Sequence, residues 1–317
     1  FSSLLKAQTN PSDINGDGTL SILVIGTSKS IKGSSEEFSP FQIRTELENI
    51  LTNDPSLPLS INVVAEDIYR TKTELTGIAY NWTGINVDHF CHSLVQYYFW
   101  PENRTSRIDN LKGEDGSDWD YVVIGADPQI ISSIPGFYSL GVNKIAYKVA
   151  EGGGKPLLLM PWTKNVSDIG HFEEFTYRTA DGAQVPVDIV PAGLAWNDLP
   201  SGKIDISTNH PTPNGAFTCA AAIYSHIFNQ SASSSNYVYD DVIADITHTS
   251  IGNASSQTHY SGGITFNSPY KSCGISDTAL IYNHGGTSTE NGILGGLQWV
   301  VLQDQKTLQY GNTPYVH

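Results

Sequence analysis

Residues 21–30 read "SILVIGTSKS". Four β-formers, Ile22, Leu23, Val24 and Ile25, run without a polar break and stop at Gly26, with a serine two positions later. A continuous apolar run of this length is the signature of a strand buried on both faces, as in a parallel sheet covered by helices on each side. A strand of that kind ending in Gly-Thr-Ser has two readings. One is a tight turn out of the sheet. The other is Ser28 held as a nucleophile at the strand's carboxyl end, where open parallel sheets place their ligands. The partners that the rest of the chain supplies decide between them.

Outward from this stretch, β-type runs at residues 20–25, 61–65, 121–124, 157–160 and 187–190 alternate with helical patterns at 41–51, 88–99, 139–150, 171–177 and 214–228. In "FQIRTELENIL" (41–51), Ile43, Leu47 and Ile50 recur at helical spacing; in "DHFCHSLVQYYF" (88–99), Phe90, Cys91, Leu94, Val95 and Tyr98 share a face that Asp88 can cap. Alternation at this spacing predicts right-handed crossovers onto a parallel sheet, hence a three-layer α/β/α domain over residues 20–231. Residues 1–19 form an N-terminal segment. The Ser-rich stretch "NQSASSSN" marks a link near residue 232. Beyond it, the Gly-broken runs "YSGGITF", "NHGGTST" and "ILGGLQWVVL" predict a β-rich C-terminal extension over 232–317.

Composition narrows the function classes. A chain of 317 residues with 39% hydrophobic residues suits one large domain or a domain with an appendage. Its net charge of −15 argues against nucleic acid or an anionic membrane as partner, since both select a basic face. No apolar run approaches the roughly 18 residues needed to cross a bilayer. The first residue is Phe1, there is a single methionine, and charged residues are only 15% of the chain; these point to a processed, secreted or periplasmic protein. Cys91, Cys219 and Cys273 make no disulfide scaffold and fit no zinc spacing.

A serine attacks an acyl carbon only when a base takes its proton. Of nine histidines, His210 stands out: it lies in a loop, is followed by Pro211 and Pro213, and precedes a small-residue helix. The prolines restrict the backbone and help to fix the ring.

On these residues the chain resembles the SGNH (GDSL-type) hydrolases, in a divergent branch composed largely of uncharacterised bacterial proteins. "ILVIGTSKS" is similar to their block I and "NHPTPNGAFTCAAAIY" to their block V, with "WDYVVIGAD" in the place of block III. "KPLLLMPWTK" and "VDIVPAGLAWNDL" resemble the fourth and fifth strand regions of that branch. The resemblance covers residues 20–230 and implies a flavodoxin-like parallel sheet and ester hydrolysis through an acyl-enzyme, with no cofactor required for catalysis. It implies Ser28 as nucleophile and His210 as general base. The Ser28 N–H would be one oxyanion donor and the block II glycine, Gly77 or Gly84, a second.

Two positions depart from the pattern. Asp127 stands where block III carries an oxyanion-stabilising Asn, and Ser207 stands where block V carries an Asp three residues before the His. Asp205 or Asp198 can take the orienting role, or a backbone carbonyl can, leaving a Ser-His dyad. The alternative function is therefore a catalytically inactive SGNH-fold binding or structural protein. For an active enzyme, an acidic exported chain with Tyr80, Trp82, Tyr97, Tyr98, Phe99 and Trp100 available for stacking on sugar rings favours a small-molecule or carbohydrate ester, such as an acetylated glycan.

A second motif is "DINGDGT" (13–19). Asp13, Asn15 and Asp17 supply oxygens at positions 1, 3 and 5 of a calcium loop, and Gly18 stands at position 6. Position 12 is Val24, inside the first strand, so no complete EF-hand forms. The two readings are a partial structural calcium site finished by carboxylates from elsewhere, and an Asx/Gly turn. The acidic "KGEDGSDWD" (112–120) reads as a solvated loop.

Overall fold

The structure, a computed structural model, describes residues 12–27, 42–68, 93–99, 103–126, 130–131, 135–163, 169–204, 212–237, 239–255, 279–283, 298–303 and 307–312. Five strands form one all-parallel sheet: β1 (Thr19–Gly26), β2 (Ser60–Asp67), β3 (Tyr121–Gly125), β4 (Lys155–Leu159) and β5 (Asp188–Val190). Their spatial order is β2-β1-β3-β4-β5, with Ile22 opposite Val63 on one side and Tyr121 on the other. This is the flavodoxin-like doubly wound order. All five strands predicted from apolar runs are present, and every pairing is parallel.

Side chains alternate across the sheet and divide the core in two. On one face, Leu23 and Ile25 of β1, Val122 and Ile124 of β3 and Leu158 of β4 pack under α2 (Leu94–Phe99), α3 (Arg104–Lys112), α4 (Pro135–Glu151) and α5 (Ile169–Asp181). On the other, Leu20, Ile22 and Val24, with Tyr121, Val123, Leu157 and Leu159, pack under α1 (Gln42–Thr52), α6 (Ala192–Asp198) and α7 (Pro213–Phe228). Two buried faces explain why β1 and β3 lack the polar alternation of a one-sided sheet. β2 lies at an edge and is half-exposed, with Val64 open to solvent, so its apolar run is only partly buried.

The boundary expected at residue 231 falls inside a continuously packed unit. A helix, α8 (Asp241–Ser255), follows it and buries Ile243, Ala244, Thr247, Ser250, Ile251 and Ala254 in the same core. These positions repeat at helical spacing, but three of the six are Ala or Ser, so the stripe is weak in hydropathy. The signal for α8 lay in α7, where every residue from Gly215 to Ser225 is buried. A helix with no polar face needs a cover, and α8 supplies part of it. Three further strands, β6 (Ala279–Asn283), β7 (Gln298–Gln303) and β8 (Thr307–Asn312), pair antiparallel in a second sheet. Among the described residues no helix is long and apolar enough to cross a membrane.

Candidate functional site

The carboxyl edge of the sheet is built from the ends of β1 and β3. β1 sits between β2 and β3, and the chain leaves it in one direction and later resumes on the other. In open sheets of this order the carboxyl ends of the two strands on either side of the reversal, here β1 and β3, are the topological switch point. Thr27, buried, closes the described part of β1, and Ala126 closes β3. In the sequence Ser28 and Asp127 are the next residues after each. Ser28, Gly77, Gly84, Asp127, Asp205, Ser207 and His210 all lie outside the described residues.

The described residues that follow His210 in the sequence begin at Thr212 and run into α7. Near the C-terminus of α7, the Tyr224 hydroxyl donates to Asp54, just past the end of α1, at 2.5 Å, and His226 meets Asp188 at the start of β5 at 3.6 Å. Both partners lie at the amino edge of the sheet, so the opposite end of α7 points to the carboxyl edge. That end begins at Thr212, whose hydroxyl accepts from the Gly215 N–H at 3.3 Å, with Pro213 in the first turn. Both features are favoured helix starts. The described chain on either side of residues 205–211 is tied together: the Asn214 amide donates to the Lys203 carbonyl at 2.9 Å. Lys203 and Asn214 are each held again, the first by an ion pair with Asp240 and the second by the Tyr239 hydroxyl at 2.9 Å.

Beneath this helix start lie two tryptophans that the sequence reading did not single out. The rings of Trp162, past the end of β4, and Trp196, on α6, are 6.2 Å apart. A Cβ on Gly215 would stand 2.5 Å from the Trp196 ring. The glycine of "NGAFTC" (214–219) is thus a packing requirement, since any side chain there would push the helix start off the tryptophan. Asp198, one of the two carboxylates offered as partner to His210, is engaged elsewhere: the Ser250 hydroxyl of α8 donates to it at 2.6 Å. Tyr97 and Tyr98 are core residues, 0% and 1% exposed, and not a sugar platform. Their rings carry the guanidiniums of Arg107 and Arg104 at 5.3 and 5.2 Å, and the Tyr97 hydroxyl donates to Glu66 at 2.9 Å.

The Asp13 loop lies at the amino edge, the opposite end of β1 from Ser28. Asp13 accepts from the N–H groups of Gly16 and Gly18 at 2.7 and 3.0 Å. Asn15 accepts from Asp17 N–H at 2.9 Å, and Asp17 from Thr19 N–H at 2.7 Å. Gly16 and Gly18 take φ of 75° and 85°, conformations that a side chain would resist. The loop is clamped from outside by Asp120, whose carboxylate accepts from the N–H groups of Ile14, Asn15 and Ser21 at 2.6, 3.3 and 2.8 Å. Burial pushes the Asp120 carboxyl up, and the three N–H donors oppose that shift. So the last acid of "KGEDGSDWD" is a buried tie between the N-terminal loop and β1, while Asp115 caps its own turn at Ser117. Among the described residues no group of three or more His, Cys, Asp or Glu side chains converges as a metal would require. Cys219 is a free thiol buried in α7, and burial raises its pKa, so it is an inert core group.

Comparisons with protein-family models, with curated proteins and with solved structures find no match to this chain.

Proposed function

We propose that the chain is a serine ester hydrolase of SGNH type acting through an acyl-enzyme. Ser28 Oγ attacks the ester carbonyl carbon while His210 takes its proton. The tetrahedral intermediate collapses, the C–O bond to the alcohol breaks, and the alcohol leaves with the proton from His210. Water, deprotonated by the same ring, then attacks the acyl-serine and releases the acid. The Ser28 N–H and Gly84, or Gly77 in its place, hold the oxyanion. Losing one such donor commonly costs about 10²–10³ in rate. Asp127 can join them only as the neutral acid, and Asp205 orients the imidazole.

The observation that carries this reading is the edge geometry. The β2-β1-β3-β4-β5 order makes the carboxyl ends of β1 and β3 the switch point, and the capped, closed start of α7 faces the same edge. The residues that resemble the catalytic blocks adjoin these ends in the sequence. The substrate class we favour is a small or carbohydrate acyl ester met outside the cytoplasm, and we read residues 256–317 as the strand-rich extension of an SGNH domain. A structural calcium ion at Asp13, Asn15 and Asp17 belongs to the same proposal; the oxygen pattern of the motif supports it. Ser207 and Asp127, standing where the family pattern has Asp and Asn, favour a second reading, a binding protein that keeps the fold without turnover.

Labelling with a fluorophosphonate separates the two. The expected result is a single modified residue, Ser28, with labelling lost in Ser28→Ala and strongly reduced in His210→Ala. Absence of labelling, together with no hydrolysis of simple acetyl esters, supports the binding protein and overturns the enzyme.

A further inference from the structure

At the far side of the sheet from β2, the strand β5 ends the order, and no described strand lies beyond it. The Met160 N–H donates to the Val190 carbonyl at 2.9 Å, so Val190, and Asp188 two residues earlier, turn their backbone groups towards β4. In an extended chain the residues between them face the other way. Ile189, and Val187 just before the strand, therefore present N–H and C=O to the side on which no described strand lies. Beside this edge runs a groove of about 730 Å³ lined by Val185, Val187, Ile189, Tyr177, Asp181 and His226, among others. Val185, Val187 and Ile189 are only partly buried against the core, so a row of apolar side chains at alternate positions borders the groove.

The groove has two acids of different standing. Asp188 is neutralised, with Lys155 at 2.6 Å and His226 at 3.6 Å. Asp181, at the exposed end of α5, forms no ion pair among the described residues. A net charge of −15 on the whole chain disfavours a second copy at this acidic mouth and favours a basic partner.

We propose that the outer edge of β5, unpaired among the described residues, takes an extended segment of another polypeptide as an added strand, with apolar side chains at alternate positions and a lysine or arginine reaching Asp181. Main-chain bonds to Val187 and Ile189 supply affinity, the valine–isoleucine row selects the alternate side chains, and Asp181 selects charge. The edge is short, so the contact is weak and reversible. It borders His226 in the last turn of α7, at the other end of that helix from Thr212, and does not depend on ester hydrolysis.

The probe is the acetylated, amidated peptide Lys-Val-Thr-Val-Thr-Val-Lys, added to the full chain while amide exchange is followed by NMR or mass spectrometry. The expected result is saturable slowing of the Val187 and Ile189 amides, with the inward-facing Asp188 and Val190 amides changed little. The same peptide N-methylated at alternate backbone amides should not slow them. Asp181→Asn should weaken binding about threefold, the worth of one exposed ion pair. Asp181→Lys should transfer the preference to the peptide with glutamate in place of lysine. The proposal is overturned if the peptide leaves both amides unchanged, or if the N-methylated peptide acts equally well. It is also overturned if both amides are already protected in the free chain. Protection that grows with protein concentration would assign the edge to a second copy, and protection independent of it to the chain's own segment.

Discussion

Two side chains with opposite burdens define the residue scale. Ser207 carries no charge where an SGNH-type base would have its orienting carboxylate three residues upstream. In the proposed enzyme Asp205 orients the ring, so Ser207→Asp should change kcat for an acetyl ester little, while Asp205→Ala should lower it by about a hundredfold, within the range of general-base effects. A rise of about tenfold in Ser207→Asp, with little loss in Asp205→Ala, would instead show that the imidazolium has no carboxylate partner. Asp188 is the second case. The His226 ring, and then the Lys155 ammonium, hold its carboxyl at about 2, below the usual carboxylate range. A carboxyl whose folded pKa is depressed stabilises the fold above its unfolded pKa and loses that contribution as pH falls through the folded value. Wild type should therefore melt higher than Asp188→Asn at pH 5, with the gap closing between pH 4 and pH 2. Because the side chain is 39% exposed, solvent screening limits the gap to about 1 kcal/mol or less. A gap that stays constant over that range would show the pair contributes nothing.

At the scale of elements, α8 and the Asp13 loop carry the tests. α8 is covalently past the Ser-rich link yet buries Ile243 at 0% exposure against α7 and its neighbours. Ile243→Ala should destabilise the domain by about 2–4 kcal/mol, read from urea unfolding at unchanged m. A loss below about 0.5 kcal/mol would mean that α8 is an appendage. The Asp13 loop is closed by its own side-chain to backbone bonds and by Asp120. Each accepting oxygen there still has a second lone pair, which is what a calcium ion would take. Millimolar calcium is expected to raise the melting temperature and a chelator to lower it, since an ion bound only by the folded chain stabilises it by mass action. A melting curve indifferent to both leaves the loop as an Asx turn.

For the whole molecule, the two buried faces meet at β1 and β3, and protection should follow that geometry. Amide exchange should be slowest in β1 and β3, faster in β2 and fastest at the outward amides of β5, because opening the central strands exposes both halves of the core. Equal exchange in β5 and β1 would contradict the two-sided core. By itself the chain's pattern determined the sheet. Runs such as Ile22–Val24 to Gly26 and Tyr121–Gly125 are apolar because both faces of each strand are covered, and a local run carries that information directly. The 3.6-residue spacing in "FQIRTELENIL" did the same for α1, and the order of strands and helices led to the parallel, doubly wound reading. The sequence could not reveal where the domain stops, because α8 is recognised by the lack of a polar face on α7 and not by its own muted stripe. Nor could it reveal that Asp120 reaches back 99 residues to the Ser21 N–H, that Gly215 is small because Trp196 lies against it, or that Asp198 is engaged by Ser250. Each of these is a contact between residues far apart in the chain. A periodicity reports only which face of an element is buried, whereas the partner on that face is chosen when the layers close on one another.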